Sequence, residues 1–425
     1  QHLRTGVFGV LQDSLHDAHL LEREVTIPEV LGQAGYRTAH FGKWHLGMSS
    51  GKRKKPDLSE HGFDYWFGLS NGANPNHKNP TNFIRNGERV GPLKGYSCQL
   101  IVEDAIEWLK KDGSAKPFLM NVWFNEPHSV LAAPEHIVSQ YGKPGDEAAL
   151  YSGTVDNMDR AIGRLVTELE SRDILDNTII IFSSDHGSYR EDRNGGLKGN
   201  KGSNFEGGLL SPGIFFWPKG LPGGRVEDEP CGAVDLLPTL CGLAGVEKPQ
   251  GVHLDGEDLT TVLKGGKPLV RKQPLFWFYP ETNPMAVLRE GDYTLVGFRD
   301  YEFPRDHAAM KAKLNRIAEI VGVADSSAGG NLRSRAFNST FVSPEANRLR
   351  WEYVQLNTFQ ESWIPLIKKG GFKRFELYDL KIDPKQRKNI YLSRPEVAAS
   401  MKKELLTLCE SVLRDSPDWS KKGKA

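Results

Sequence analysis

Cysteine is scarce in this chain of 425 residues. Only Cys98, Cys231, Cys241 and Cys409 occur, and none stands in a C-x-x-C or other metal-ligand spacing. That excludes a disulfide-stapled scaffold and a cysteine-based zinc site. Cys231 and Cys241 could pair, but buried free thiols are the expected state. An excess of charge of one sign is missing as well. The 55 Lys and Arg residues face 54 Asp and Glu residues, a net charge of +1, so the electrostatic footprint of a nucleic-acid binder is absent. Apolar runs such as Ile179 to Phe182 and Ile214 to Trp217 fall far short of the ~20 residues that a helical membrane span needs. The chain opens Gln1-His2-Leu3-Arg4-Thr5-Gly6, with neither an initiator Met nor a basic-then-apolar leader. Repeats and low-complexity tracts are also lacking. What is present, 38% hydrophobic and 26% charged residues, is enough for a packed core and too apolar for a disordered chain. At one domain per ~150 residues, the length allows two or three domains.

The first two thirds alternate between helical and extended patterns. Thr26 with Glu29 three residues on predicts a capping box and a short helix ending at Gly35. Tyr36 to Phe41 then reads as a strand running into Gly42-Lys43-Trp44-His45-Leu46-Gly47. Leu100, Ile101, Ala105, Trp108 and Leu109 recur at helical spacing before an apolar strand, Phe118 to Phe124, which stops at Asn125-Glu126-Pro127-His128. Val155, Met158, Ile162, Leu165, Val166 and Leu169 mark a long amphipathic helix. It leads to a strand, Thr178 to Phe182, ending at Ser183-Ser184-Asp185-His186-Gly187. A strand (Gly213 to Trp217) and a helix (Ala233 to Ala244) follow. Strands separated by helices of this length predict an α/β fold with a mostly parallel sheet sandwiched by helices over 1–272.

From Gln273 the texture changes to a smaller subdomain, 273–425, with an antiparallel sheet plus helix. Ala286 to Phe298 predicts a hairpin around Glu290-Gly291-Asp292, Phe375 to Leu380 a further strand, and Pro395 to Leu413 a closing helix. An insertion spans 305–351, helix-like first and then Ser/Gly-rich at Ser326 to Gly330; Lys421 to Lys424 form a solvated end.

Three predicted strands end in polar clusters, and in an open α/β sheet the ligand site lies beyond the carboxyl ends of the strands. Lys43 and His45, two apart, point the same way in extended chain, with Gly42 and Gly47 letting the backbone turn. His128 follows a strand-end proline. Asp185 ends a buried strand, where an unpaired carboxylate is costly and a cation or a lysine would satisfy it. Gly199-Asn200-Lys201-Gly202 places another lysine in a glycine-dense loop of the kind that binds anions. Each feature alone is ordinary: a surface lysine, a packed histidine, a flexible loop. Together they suit stabilising a tetrahedral oxyanion with lysines and a bound cation, while a His or Lys protonates the departing oxygen.

At this point Gly35-Tyr36-Arg37-Thr38-Ala39-His40-Phe41-Gly42-Lys43-Trp44-His45-Leu46-Gly47 resembles the second signature of the sulfatase family, the formylglycine-dependent sulfuric ester hydrolases. Further segments follow in the family's order: His61-Gly62-Phe63-Asp64, Pro127-His128, Ser184-Asp185-His186-Gly187 and Lys201-Gly202-Ser203-Asn204-Phe205-Glu206-Gly207-Gly208. After them come Val234-Asp235-Leu236-Leu237-Pro238-Thr239, Leu254-Asp255-Gly256, Glu376-Leu377-Tyr378-Asp379-Leu380 and Asp383-Pro384. The resemblance implies an alkaline-phosphatase-like fold and a set of roles. Asp185 would be a ligand of a divalent cation, typically Ca2+, with His186 the adjacent ligand where many members have Asn. Lys43 and His45 would contact hydrated formylglycine and sulfate, His45 as the base. His128 and Lys201 would bind sulfate oxygens and protonate the leaving alcohol.

The sequence also departs from the family. No Cys/Ser-x-Pro-x-Arg nucleophile segment occurs, so formylglycine and two acidic metal ligands are expected upstream of residue 1, and the chain as given is expected to turn over little. Leu210 stands where an Arg is usual, and a packing consequence is expected there. The implied partner is a sulfated small molecule or glycan, with Asn71 to Gly95 and Ser188 to Lys198 (Arg190, Arg193, Lys198) at the mouth of the site. No nucleic acid and no membrane span are expected. Family habit implies a periplasmic or secreted location. Two alternatives stand beside this expectation: a phosphate- or phosphonate-ester hydrolase of the same superfamily, and a non-catalytic sulfated-glycan-binding homologue. Lys198 rivals Lys201 for its role. Asn338-Ser339-Thr340 fits a glycosylation sequon and decides nothing.

Overall fold

A computed structural model describes residues 1–111, 116–322 and 343–421. Helix α1 (Ile27–Gln33) starts at the expected capping box: the Thr26 N–H donates to Glu29 Oε2 at 2.7 Å, and the Glu29 N–H donates to Thr26 Oγ1 at 3.4 Å. Gly35, at φ +90°, ends it in the left-handed conformation that glycine adopts without a Cβ penalty. Strand β1 (Arg37–Lys43) is buried from Thr38 to Gly42 on both faces, as its continuous small and apolar run requires of a central strand. Strands β2 (Tyr65–Leu69), β3 (Ile84–Arg85) and β4 (Glu88–Arg89), helix α2 (Ser97–Lys111) and strand β5 (Phe118–Trp123) complete the first layer.

These strands form one sheet in the order β4-β3-β2-β1-β5. β1 runs parallel to both β2 and β5, while β3 and β4 add an antiparallel edge. Phe41, Phe67 and Leu69 on the sheet pack with Ile101, Ala105, Trp108 and Leu109 of α2. Each such buried side chain contributes ~1.5–3 kcal/mol. After the short helix α3 (Glu135–Val138) comes α4 (Glu147–Ser171), whose N-terminus is held by Asp146 accepting from the N–H groups of Ala148 and Ala149. It packs on the outer face of α2, where Ala161 meets Cys98, Val102 and Ile106.

Strand β6 (Ile180–Ser183), helix α5 (Glu206–Leu209) and strand β7 (Gly213–Phe216) follow, β6 and β7 pairing antiparallel as a separate ribbon. Helices α6 (Leu236–Ala244) and α7 (Thr260–Leu263) precede the second sheet. That sheet is wholly antiparallel, order β11-β10-β9-β8, from β8 (Leu275–Phe278), β9 (Ala286–Glu290), β10 (Tyr293–Arg299) and β11 (Phe372–Asp379). Helices α8 (His307–Ile320), α9 (Pro344–Asn357) and α10 (Ile364–Lys369) lie between β10 and β11, and α11 (Pro395–Asp415) closes the unit. Met401, Leu405, Leu408 and Val412 of α11 share one core with Phe276, Leu288, Leu295 and Leu377. Leu3, Phe8, Leu11 and Ala18 belong to this same core, so the first residues of the chain pack on the last sheet.

The expected α/β fold class holds, a helix-flanked sheet and then a smaller antiparallel sheet with a helix, but the first sheet is mixed rather than mostly parallel, and the strands expected in it at Thr178 to Phe182 and Gly213 to Trp217 pair with each other as the antiparallel ribbon instead. β2 and β8 were not expected, since Tyr65–Leu69 carries a glycine and Leu275–Phe278 is only four residues long. All four cysteines are free, and Cys231 is exposed rather than buried. Leu210 is 59% exposed, so the packing consequence expected there is not found. Ser326 to Gly330, the Asn338-Ser339-Thr340 sequon and Lys422 to Lys424 lie outside the described residues. Among the described residues, no helix is long and apolar enough to cross a membrane.

Candidate active site

The end of β1 is held so tightly that only glycine fits beside Lys43. Gly42 has φ +103°, and a Cβ there would lie 2.0 Å from the Trp123 carbonyl oxygen of β5. On the other side, a Cβ on Gly68 of β2 would lie 2.3 Å from the Gly42 oxygen. Beyond Lys43 the chain still follows β2, with Trp44 N–H donating to the Leu69 carbonyl at 2.9 Å and His45 N–H to that of Ser70 at 2.6 Å. His45 itself has φ +50°, a left-handed conformation that is uncommon for a residue other than glycine and gathers at functional sites. Its Nε2 lies 2.9 Å from the Leu11 carbonyl, which can only accept, so Nε2 carries the proton and Nδ1 holds the lone pair of the neutral ring.

His128 ends the turn after β5, its N–H donating to the Asn125 carbonyl at 2.9 Å. Its Nδ1 donates to the Ser129 carbonyl at 2.7 Å, which leaves Nε2 as the proton-exchanging atom on an exposed side chain. Asp185 and His186 follow β6. Gly187 is pinned by its N–H to the Gly208 carbonyl at 2.9 Å, and the Lys201 N–H donates to the Ser188 carbonyl at 2.8 Å. A Cβ on Gly187 would sit 2.2 Å from the Gly207 oxygen, and one on Gly207 2.2 Å from the Gly199 oxygen. The glycine-dense loop is therefore backbone packed on backbone, and it carries Lys201 back to the end of β6.

The electrostatics show which of these groups share one space. Lys43 is lowered from the usual lysine range by burial, then by repulsion from Lys201, against attraction to Asp185. Lys201 is also lowered, by the protein around it, and Asp185 opposes that shift. His45 falls to about 4 through burial and then Lys43, with Lys201 adding to the effect. His128 likewise falls to about 4: its ring reaches solvent, but the protein around it disfavours the charged form, then Lys201 repels it, with Lys43 and His77 contributing against the Ser129 carbonyl bond. Crowding would raise Asp185, but the His186 hydrogen bond and the charges of Lys201 and Lys43 outweigh it and hold the carboxyl at about 2. The perturbing charges are thus one another's, so the structure brings Lys43, His45, His128, Asp185 and Lys201 together. The cluster is open rather than enclosed, with Asp185 77% exposed at its side chain. A groove lies elsewhere, lined by Ile106, Lys110, Arg164 and Thr167 on α2 and α4.

Lys198 is separated from this group. Its Nζ donates to the Tyr378 hydroxyl at 2.8 Å and lies 4.2 Å from the centre of the Phe205 ring. The basic residues expected at the mouth are also occupied: Arg190 pairs with Asp192 at 2.8 Å, and Arg193 lies over Tyr151. For a cation, Asp185 Oδ2 and His186 Nε2 converge at 3.1 Å. His186 Nδ1 lies 2.8 Å from the Gly187 carbonyl, which can only accept, so both ring nitrogens face acceptors and a cation at Nε2 would take the place of a proton there. Two donors fall short of the about six to eight oxygens that Ca2+ takes. Among the described residues no group of three or more His, Cys, Asp or Glu side chains forms a metal cluster. These residues therefore supply part of a donor set and not a complete calcium site.

Two groups behind the site were missed in the sequence. Asp13 accepts from the buried Lys55 Nζ at 2.9 Å, from the Met48 N–H at 3.0 Å and from the Ser70 hydroxyl, and its charge acts on His45. His77 stands behind His128, its Nε2 2.6 Å from the His128 carbonyl. No local pattern marks either residue; both act through contacts between segments remote in the chain.

Residues 2–246, more than half of the chain, match the Sulfatase family model, and the chain belongs to that family. It is 30% identical over 285 residues to the N-acetylgalactosamine-6-sulfatase of Canis lupus familiaris, covering 61% of this chain and 52% of that protein. This chain thus spans about half the length of the curated relatives it matches first. In fold it is similar to Ps i-CgsB in complex with k-i-k-neocarrahexaose (TM-score 0.71, 20% identity, 98% of this chain and 80% of that one). A further similar fold is that of BT4656 in complex with its substrate D-glucosamine-2-N,6-O-disulfate (TM-score 0.59, 19% identity, 99% and 89% covered).

Proposed function

We propose that the protein carrying this chain hydrolyses sulfate esters of a sulfated carbohydrate, and that Lys43, His45, His128 and Lys201 are its catalytic residues. The observation that carries this is the mutual electrostatic coupling of two lysines, two histidines and Asp185 at three strand ends of a sulfatase-family chain. A sulfate monoester brings one negative charge, which Lys43 and Lys201 can hold with charge-assisted hydrogen bonds. The surrounding protein lowers half-buried Lys43 and, although it reaches solvent, Lys201, so an anion between them would favour the charged forms of both.

His45 presents its unprotonated Nδ1 and accepts a proton there. His128 Nε2, brought up from about 4 by a bound anion, or Lys201 Nζ donates one to the leaving alcohol. Formylglycine, where the full protein carries it, supplies the nucleophile; none of the four cysteines of this chain lies in the cluster. Asp185 and His186 would contribute to holding a divalent cation. The relatives' names, an amino-sugar 6-sulfatase and a glucosamine disulfate complex, support a sulfated sugar as substrate. The test is turnover by the full-length protein of an activated aryl sulfate and of a sulfated amino sugar, beside the matching aryl phosphate. Faster cleavage of the phosphate would overturn the proposal.

A further inference from the structure

Behind the exposed His128 ring lies a buried polar chain that the proposed chemistry does not use. His77 and Ser97 are 1% and 0% exposed, and Glu126 is 5% exposed. His77 Nε2 is 2.6 Å from the His128 carbonyl oxygen, and its Nδ1 is 3.1 Å from Ser97 Oγ and 3.7 Å from Glu126 Oε1. Ser97 Oγ lies 2.5 Å from Glu126 Oε1, which also accepts the Cys98 N–H at 2.9 Å. The other carboxylate oxygen, Oε2, is buried with no hydrogen-bond partner among the described residues, so this side chain is held through Oε1 alone, by Ser97 and the Cys98 N–H. Polar groups this deep are costly unless they do something that an apolar residue cannot.

Counting protons shows what they do. The His128 carbonyl can only accept, so His77 Nε2 must carry a hydrogen. Ser97 has one hydroxyl proton to place between His77 Nδ1 and Glu126. That hydroxyl lies 2.5 Å from Glu126 Oε1 and 3.1 Å from His77 Nδ1, and whichever of the two it serves, the outcome at the far end is the same, an N–H fixed on the His128 carbonyl. The other anchors on this residue are local, its own N–H on the Asn125 carbonyl and its ring Nδ1 on the Ser129 carbonyl. His77 is thus the one long-range tether, among the described contacts, on the backbone that aims the His128 ring.

We propose that His77, oriented by Ser97 and Glu126, is a positioning residue that sets the place and proton-donating geometry of His128. The inference rests on the reading of His128 as a site acid, and its test separates the two. In the full-length enzyme, His77→Leu removes the donor and is expected to lower kcat on an aryl sulfate by about tenfold to a hundredfold with a smaller change in KM, the cost of a misplaced group. His77→Gln, which keeps an N–H at similar reach, is expected to recover most of the rate. Independently of turnover, histidine-selective 15N NMR on the chain should show the His128 ring as the Nδ1–H tautomer in wild type. In His77→Leu that ring should shift its titration and mix tautomers. Should that variant not fold, Ser97→Ala and Glu126→Gln carry the same expectation at His128.

An unchanged His128 titration and tautomer, together with an unchanged rate or with no rescue by Gln, overturns the positioning role. A moved His128 signal in a protein that cleaves no sulfate ester overturns the functional proposal and leaves the tether standing.

Discussion

Replacing Gly42 by Ala tests the claim that backbone packing, rather than side-chain choice, aims Lys43. The residue sits at φ +103°, where an L side chain costs ~1–2 kcal/mol. The added methyl would also lie 2.0 Å from the Trp123 oxygen, 2.9 Å from its carbonyl carbon and 3.2 Å from Ile101 Cδ1. Neither backbone atom can yield without moving β5, and overpacking of this kind costs ~1–3 kcal/mol. The sum, ~2–5 kcal/mol, is a large part of the ~5–15 kcal/mol that holds a domain together. Gly35 provides the control, with φ +90° and nothing within 4 Å of an added Cβ, so Gly35→Ala isolates the conformational term. Urea unfolding followed by the fluorescence of Trp66, Trp108 and Trp123, all on or beside this sheet, reads both variants. A slope of ~2–3 kcal/mol/M turns the expected loss in Gly42→Ala into a midpoint ~0.7–2.5 M lower, with the slope unchanged. The full enzyme should lose activity beyond what the residual folded fraction explains, because Lys43 is the next residue. Equal losses in the two glycine variants would refute the reasoning.

Lys201→Ala in the full-length enzyme should lower turnover by about a hundredfold or more, the range for losing a positioned charge donor. Lys198→Ala should leave turnover within a few-fold and show its effect in the thermal midpoint, because that lysine serves Tyr378 and the Phe205 ring; reversed outcomes in an aryl sulfatase assay would exchange the two lysines. Acid should weaken the fold between the ordinary histidine range and pH 4. Burial holds His40 at about 3, and burial with Lys43 nearby holds His45 at about 4, so below pH 6.5 the unfolded chain takes up protons that the folded chain refuses. Stability is then full above 6.5 and declines as pH falls toward 4; urea midpoints that stay flat from pH 7 to 4.5 would contradict those shifts. Asp235→Ala should cost ~3–5 kcal/mol, because it strands Arg271, which now pairs with both carboxylate oxygens at 3.0 and 2.7 Å. Calorimetry on Asp235→Ala beside an Asp235→Ala/Arg271→Met double variant checks this, and the double variant should recover part of the loss.

Much of the candidate site was legible because its residues stand at the ends of strands whose patterns are local. The apolar run before Gly42, the run before Asn125 and the run before Ser184 each read as strands; β1 and β5 deliver their clusters at the end of the parallel layer, where ligands are placed, and β6 delivers its own from the end of the separate antiparallel ribbon. Other family segments turned out to hold the fold. Thr26 Oγ1 donates to the His61 carbonyl at 2.8 Å and Asp64 accepts the Thr38 N–H at 3.0 Å, fastening α1 and β1. Arg4 pairs with Asp255 at 3.1 Å, and a Cβ on Gly256 would meet the Val234 oxygen at 2.0 Å. The choice between Lys198 and Lys201 could not be read from spacing, since three residues in a glycine-rich loop allow either direction; only the packing of Lys198 on Phe205 and Tyr378 separates them.

Hydrophobic periodicity, capping residues and turn glycines act within a few residues of themselves, so the order of helices and strands and the strand-end position of each polar cluster were determined by the amino-acid sequence alone. The convergence of Lys43, His45, His128, Asp185 and Lys201, the Leu11 carbonyl that fixes the His45 tautomer and the His77 tether on His128 were decided by tertiary structure. Those contacts join segments far apart along the chain, and their geometry follows from how close one backbone can approach another, which no local pattern encodes.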